Sequence, residues 1–165
     1  MSKALSQLSE IASIAVKWFA GVGLLLMTAI IAWQVFARYV LNDSPAWGEQ
    51  AALLLMIWYV MFAAAAGVRE GFHIRITIFA ESLPDKPKRL VNLASHTIVA
   101  LFGLAMCWWG IDLVRETWHH VIPTLGLSRG YAYLPIAASG ALIFCFALEH
   151  IVADIRATEV RSLWN

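Results

Sequence analysis

A chain of 165 residues that is 61% apolar and only 14% charged, with eight tryptophans, has too little polar surface to clothe a water-soluble core. Its net charge is +1 and its basic residues are dispersed along the chain, which excludes a nucleic-acid partner. Four stretches lack Asp, Glu, Lys and Arg: 18–37, 50–68, 90–111 and 130–148. Each has roughly twenty residues, enough for a helix to cross a hydrocarbon core about 30 Å thick. The expected fold is an all-α integral membrane protein: one domain, residues 1–165, with four transmembrane helices at about 14–38, 46–68, 89–112 and 130–153.

The first span is followed by Ser44-Pro45-Ala46, a small-x-small pattern of the kind signal peptidases cut. Its apolar run is longer than the roughly 7–15 residues of a signal core, so an uncleaved span is expected. Asn42-Asp43-Ser44-Pro45 then offers capping side chains and a proline near the first turn of the second span, with Glu49 close to the positive helix end. Arg38 and Glu49 carry opposite charges at facing span ends, and the expectation is an ion pair tying spans one and two.

The second span runs into GVREGFHIRITIF, residues 67–79. Ile74, Ile76 and Ile78 alternate as in a strand, but a lone strand at a bilayer surface leaves its backbone groups unpaired. As a helix, the segment places Phe72, Ile76, Phe79 and Leu83 on one arc, and Pro84 ends it. A short interfacial amphipathic helix at about 72–83 is therefore expected between the second and third spans, followed by a cationic turn from Pro84 to Arg89. Trp47, Arg69, Phe72, His73, Arg75, Ile76 and Phe79 are the expected contacts to membrane lipids or a partner at the interface.

The third span carries His96, an outer loop from Asp112 to Arg129 contains His119 and His120, and the fourth span ends near Glu149 and His150. The adjacent loop histidines lack a carboxylate or cysteine at ligand spacing, so no metal site is expected there. Lys3, Lys17, Arg69, Arg75, Lys86, Lys88, Arg89, Arg156 and Arg161 share one side, against Arg38, Arg115 and Arg129 on the other. That asymmetry places both termini in the cytoplasm. Trp33, Trp47, Trp108 and Trp109 then fall at outer span ends, where amphipathic rings favour the interface. Cys107 and Cys145 lie at different depths of antiparallel spans, so no disulfide is expected. Small residues at four-residue spacing, Ala63/Gly67, Gly103/Cys107 and Ala137/Ala141, are candidates for close helix approach.

No nucleotide loop, nucleophile elbow, zinc-protease motif or paired cysteine appears, so the chain is not expected to be an enzyme. The charge-free span interiors also argue against a self-sufficient exporter, because ion-coupled transport uses polar groups at mid-membrane. His96 and His150 leave a second reading open, a membrane anchor binding haem or quinone in a redox complex.

Val35-Phe36-Ala37-Arg38-Tyr39-Val40, Trp47-Gly48-Glu49-Gln50, Trp58, the run Val68 to Ile76 and the outer segment Pro123 to Pro135 resemble, in combination, the small (DctQ-type) membrane subunit of tripartite ATP-independent periplasmic (TRAP) transporters. The resemblance covers roughly residues 14–153. The chain departs from the pattern at Gln50, where a second acidic residue is usual, within Phe62 to Ala65, where a glycine is common, and at Thr77-Ile78, where an aspartate is common. The resemblance implies a bacterial inner-membrane scaffold without a cofactor of its own, packing against a large elevator-type subunit that carries the sodium and organic-acid sites. Dicarboxylates, sugar acids and sialic acids are the implied substrate classes. A periplasmic substrate-binding protein is the second implied partner, with Asn42, Asp43, Ser44, His119, His120, Ser128 and Arg129 as its candidate docking residues.

Overall fold

A computed structural model describes residues 3–43, 45–71 and 85–156. It contains α1 (Lys3–Tyr39), α2 (Trp47–Arg69), α3 (Asp85–Thr117), a two-stranded hairpin of β1 (Val121–Ile122) and β2 (Leu127–Ser128), and α4 (Gly130–Arg156). Four segments of these helices are long and apolar enough to cross a membrane: Glu10–Tyr39, Trp47–Arg69, Lys88–Thr117 and Gly130–Ile155. The expected interfacial arm at 72–83 lies outside the described residues.

The extensive contacts run from α1 to α2, from α2 to α4 and from α4 to α3. The bundle is thus a row in the order α1, α2, α4, α3, in which the edge helices α1 and α3 run antiparallel to their neighbours and the central pair α2 and α4 run parallel. The α3–α4 seam is closest, because glycines face backbone across it. A Cβ added at Gly140 would stand 2.6 Å from the Cys107 nitrogen, and one at Gly103 would stand 2.7 Å from the Phe144 nitrogen. Between lipid-immersed helices, where water supplies no drive to associate, such approach maximises dispersion contact. Of the expected pairs Gly103/Cys107 and Ala137/Ala141, Gly103, Cys107 and Ala137 lie on this seam while Ala141 faces outward, and Gly110 and Gly140 take part as well. On α2 the buried small residues are Gly48, Ala52, Ala65 and Ala66, while Ala63 is exposed.

Two expectations about helix ends need correction. Asn42 does not cap α2: it has a positive φ of 52° and terminates α1, turning the chain so that the Asp43 amide donates to the Ala37 carbonyl at 3.1 Å. Asparagine tolerates that left-handed conformation better than most residues. Ala46 occupies the N-cap of α2 and supplies no side-chain bond. The cationic turn expected from Pro84 to Arg89 is, from Asp85 onward, the first part of α3. Pro87 fits there because first-turn amides have no intrahelical acceptor.

At the hairpin end, Val121 pairs with Ser128 and Ile122 with Leu127. The Arg129 amide donates to the His120 carbonyl at 2.7 Å, closing the turn. Ser128 Oγ donates to the Trp118 carbonyl at 2.5 Å and accepts from the Gly130 amide at 3.1 Å, which joins the end of α3 to the start of α4. The apolar core sits toward the opposite end, where Ala65, Val68, Ile143 and Phe146 are buried against Ala12, Val99, Met106 and Leu142.

Candidate functional site

The sequence pattern places polar side chains at the helix ends, and the up-and-down course of the chain gathers them into two groups. One lies beside the core, where early α1 and α3 residues meet the last turns of α2 and α4. Lys17 Nζ contacts Glu70 Oε1 at 2.5 Å. Arg69 lies 3.8 Å from Glu70 and 3.8 Å from Glu149. Arg69, Glu70 and Glu149 are all buried, Arg69 being only 2% exposed. Burying three charges is tolerable because they alternate in sign; any one alone would carry a desolvation cost of several kcal/mol.

The cluster continues through the histidines. The His96 ring stacks on His150 with centroids 4.8 Å apart and planes 13° from parallel. His96 Nδ1 lies 2.6 Å from Asp154 Oδ2, and His150 Nε2 donates to the Arg69 carbonyl at 2.9 Å. Arg89 donates to the main-chain carbonyls of Asp154 and Ile155, groups a helix C-terminus leaves without amide partners. Lys17 on α1, Arg69 and Glu70 at the end of α2, Arg89 and His96 on α3, and Glu149, His150 and Asp154 on α4 therefore form one knot joining all four helices.

This geometry changes the reading of several residues. Arg69, expected at the lipid interface, has its side chain inside the chain between two carboxylates. Glu149, at the expected end of the fourth span, is only 6% exposed and lies against Arg69. The two histidines are not arranged as an axial haem pair. Axial ligation needs both nitrogens directed at one iron along their ring planes, whereas these rings are face to face with a nitrogen of each already bonded within the chain.

The second group lies at the hairpin end. Arg38 and Glu49 are both exposed and line one open groove of about 480 Å³ between α1 and α2, together with Met27, Ile31, Gln34 and Met56. The expected ion pair is not formed: among the described residues no nitrogen–oxygen distance within 4 Å joins Arg38 to Glu49. Trp47, 43% exposed, begins α2 at this end. Asn42, Asp43, His119, His120 and Arg129 are exposed here and Ser128 is half-buried. Ser44, Phe72, His73, Arg75, Ile76 and Phe79 lie outside the described residues.

Sequence reasoning missed the knot because it weighed the basic residues for topology and the acidic ones hardly at all. Glu70, Glu149 and Asp154 fall at the same end as Lys17, Arg69 and Arg89, and pairing the two signs by side would have indicated an internal network.

Residues 27–157 match the family described as tripartite ATP-independent periplasmic transporters, DctQ component. The chain is 26% identical over 125 residues to the sialic acid TRAP transporter small permease protein SiaQ of Vibrio cholerae serotype O1, covering 76% of this chain and 72% of that one. It is 29% identical over 114 residues to the C4-dicarboxylate TRAP transporter small permease protein DctQ of Rhodobacter capsulatus, covering 68% and 50%. It is also 23% identical over 124 residues to the sialic acid TRAP transporter permease protein SiaT of Haemophilus influenzae, covering 74% of this chain but 20% of that protein. With four membrane-length helices and a family match over most of its length, the chain belongs to the DctQ component family of TRAP transporters, as a multi-pass bacterial inner-membrane transport component and not an enzyme.

Proposed function

We propose that this chain is the fixed scaffold of a sodium-coupled, binding-protein-dependent uptake transporter for an organic acid of the sialic acid or C4-dicarboxylate class. The observation that carries the reading is the match to SiaT, in which a segment similar to this chain makes up a fifth of a larger permease. A unit that occurs within a larger permease belongs structurally beside the rest of that permease. Here the rest is a separate large membrane subunit, which holds the sodium and substrate sites.

The architecture supports a static role. The four helices are locked at one end by the ionic knot and along α3–α4 by a glycine seam, so relative sliding would break several contacts at once. No Asp, Glu, Lys or Arg falls within residues 18–37, 50–68, 90–111 or 130–148 to form an ion path through the middle of the spans. In the proposed orientation the knot and both termini face the cytoplasm, and the hairpin end faces the periplasm, where Asn42, Asp43, His119, His120 and Arg129 receive the substrate-binding protein.

The test is reconstitution. The chain is copurified with the large subunit, placed in liposomes under an inward sodium gradient and supplied with binding protein and radiolabelled sialic acid or succinate. Uptake is expected only with all three proteins and sodium. Transport by this chain alone, or full transport by the large subunit without it, would sink the scaffold reading.

A further inference from the structure

The row of helices has two edges and two broad faces, and they differ in chemistry. The outward face of α3 is built from Leu90, Ile98, Leu101, Phe102 and Trp108, all more than 60% exposed. The polar side chain within that stripe, Thr97, is satisfied by its own helix, since its hydroxyl donates to the Leu93 carbonyl at 2.7 Å. Asp112 and Arg115, farther along, pair with each other at 3.5 Å. A surface of bulky apolar groups with its polar groups internally satisfied is what hydrocarbon chains accommodate.

The α1–α2 groove is different. Its floor is apolar and adaptable, with Met27, Ile31 and Met56, and methionine conforms readily to a partner's shape. Its rim near the hairpin end carries Gln34, Arg38 and Glu49, and among the described residues none of the three is hydrogen-bonded or ion-paired. An amide, a cation and an anion on one groove call for complementary groups at fixed positions, which disordered acyl chains do not supply.

Taking the scaffold reading as its basis, we propose that this groove seats a transmembrane helix of the large permease subunit. The seated helix presents an apolar, small-residue face to the methionine floor. At the level of the rim it offers an acidic or carbonyl oxygen to Arg38 and a hydrogen-bond donor to Glu49. The α3 edge is left to lipid. The unformed Arg38–Glu49 pair is then part of the function, because each charge is directed to the partner.

The experiment uses the complete transporter in native membranes, with a photo-crosslinking amino acid placed singly at Ile31 or Met56 and, for comparison, at Ile98 or Leu101. Irradiation is expected to shift the chain to a band containing the large subunit from the two groove positions, with that band absent from the α3 positions. A crosslinked dimer of this chain from the groove positions would overturn the assignment in favour of a second copy. Adducts to lipid alone, or large-subunit bands from α3, would also overturn it. Copurification in the same samples separates the two levels: a large subunit that fails to copurify defeats the scaffold reading, whereas one that copurifies with silent groove positions defeats only the choice of face.

Discussion

The indole of Trp58 on α2 donates to the main-chain carbonyl of Tyr131 on α4 at 2.9 Å, and that carbonyl is the one Pro135 leaves without a helical donor. Proline has no amide hydrogen, so the bond that residue 135 would return to residue 131 is missing. In hydrocarbon such an orphan must find another partner, and Trp58 supplies it. Trp58→Phe is therefore expected to destabilise the protein by about 1 kcal/mol, in the range of interhelical bonds in membranes. In a Pro135→Ala background the restored amide answers Tyr131, and the same tryptophan change should cost measurably less. A double-mutant cycle by denaturant unfolding in detergent reads the coupling; equal costs in both backgrounds would separate the two residues.

The α3–α4 seam makes a contrast between two glycines testable. Gly140→Ala drives a methyl group against the backbone of α3 and is expected to cost about 1–3 kcal/mol, the usual range for overpacking. Gly21→Ala on α1 meets no atom within 4 Å and should be neutral or slightly stabilising, because alanine favours the helix. Thermal unfolding of the two variants beside the parent checks the order.

Much of this architecture was legible in advance. Hydropathy alone gives four spans, since a helix must satisfy its backbone internally and cannot carry charge through hydrocarbon. The start of α3 was not legible, because Pro84 and Pro87 read as helix breakers although a proline is welcome in a first turn. Asn42 was mistaken for a cap of the following helix when it stops the preceding one; both roles suit asparagine, and only the backbone angle separates them. The knot was hidden for a different reason. Its members lie up to 137 positions apart, Lys17 to Asp154, and only the neighbour order of the helices brings them together.

Glu70 faces Lys17 at 2.5 Å and Arg69 at 3.8 Å, while the Lys17 side chain retains 28% exposure. Removing the anion leaves two cations without it in a confined space, whereas removing the lysine takes away a group at the edge of the knot. Glu70→Gln is accordingly expected to cost about 3 kcal/mol or more, and Lys17→Met clearly less. Unfolding free energies of the two variants measure this, and an equal or reversed order would show that Glu70 is not central to the network.

The His96–His150 stack yields a spectroscopic expectation. With the rings face to face and His96 held by Asp154, the protein purified from haem-replete cells should show no Soret band, and His96→Ala should leave its visible spectrum unchanged. A Soret band that disappears in His96→Ala would return the redox-anchor reading to first place and require the rings to separate.

Arg38 and Glu49 provide the sharpest test of how the groove is used. If they served only each other, exchanging them in an Arg38→Glu, Glu49→Arg double variant would preserve their attraction and restore whatever either single change lost. Because they are unpaired among the described residues and line one groove, each is expected to meet its own complement on the large subunit. Either single reversal should then lower recovery of the large subunit with the tagged chain by roughly tenfold or more, the equivalent of about 1.4 kcal/mol, and the exchange should fail to rescue it. Thermal stability of the isolated chain should change little in all three variants, since the charges are exposed and contribute little to its own fold. Rescue by the double exchange would return the two residues to a simple clasp between α1 and α2.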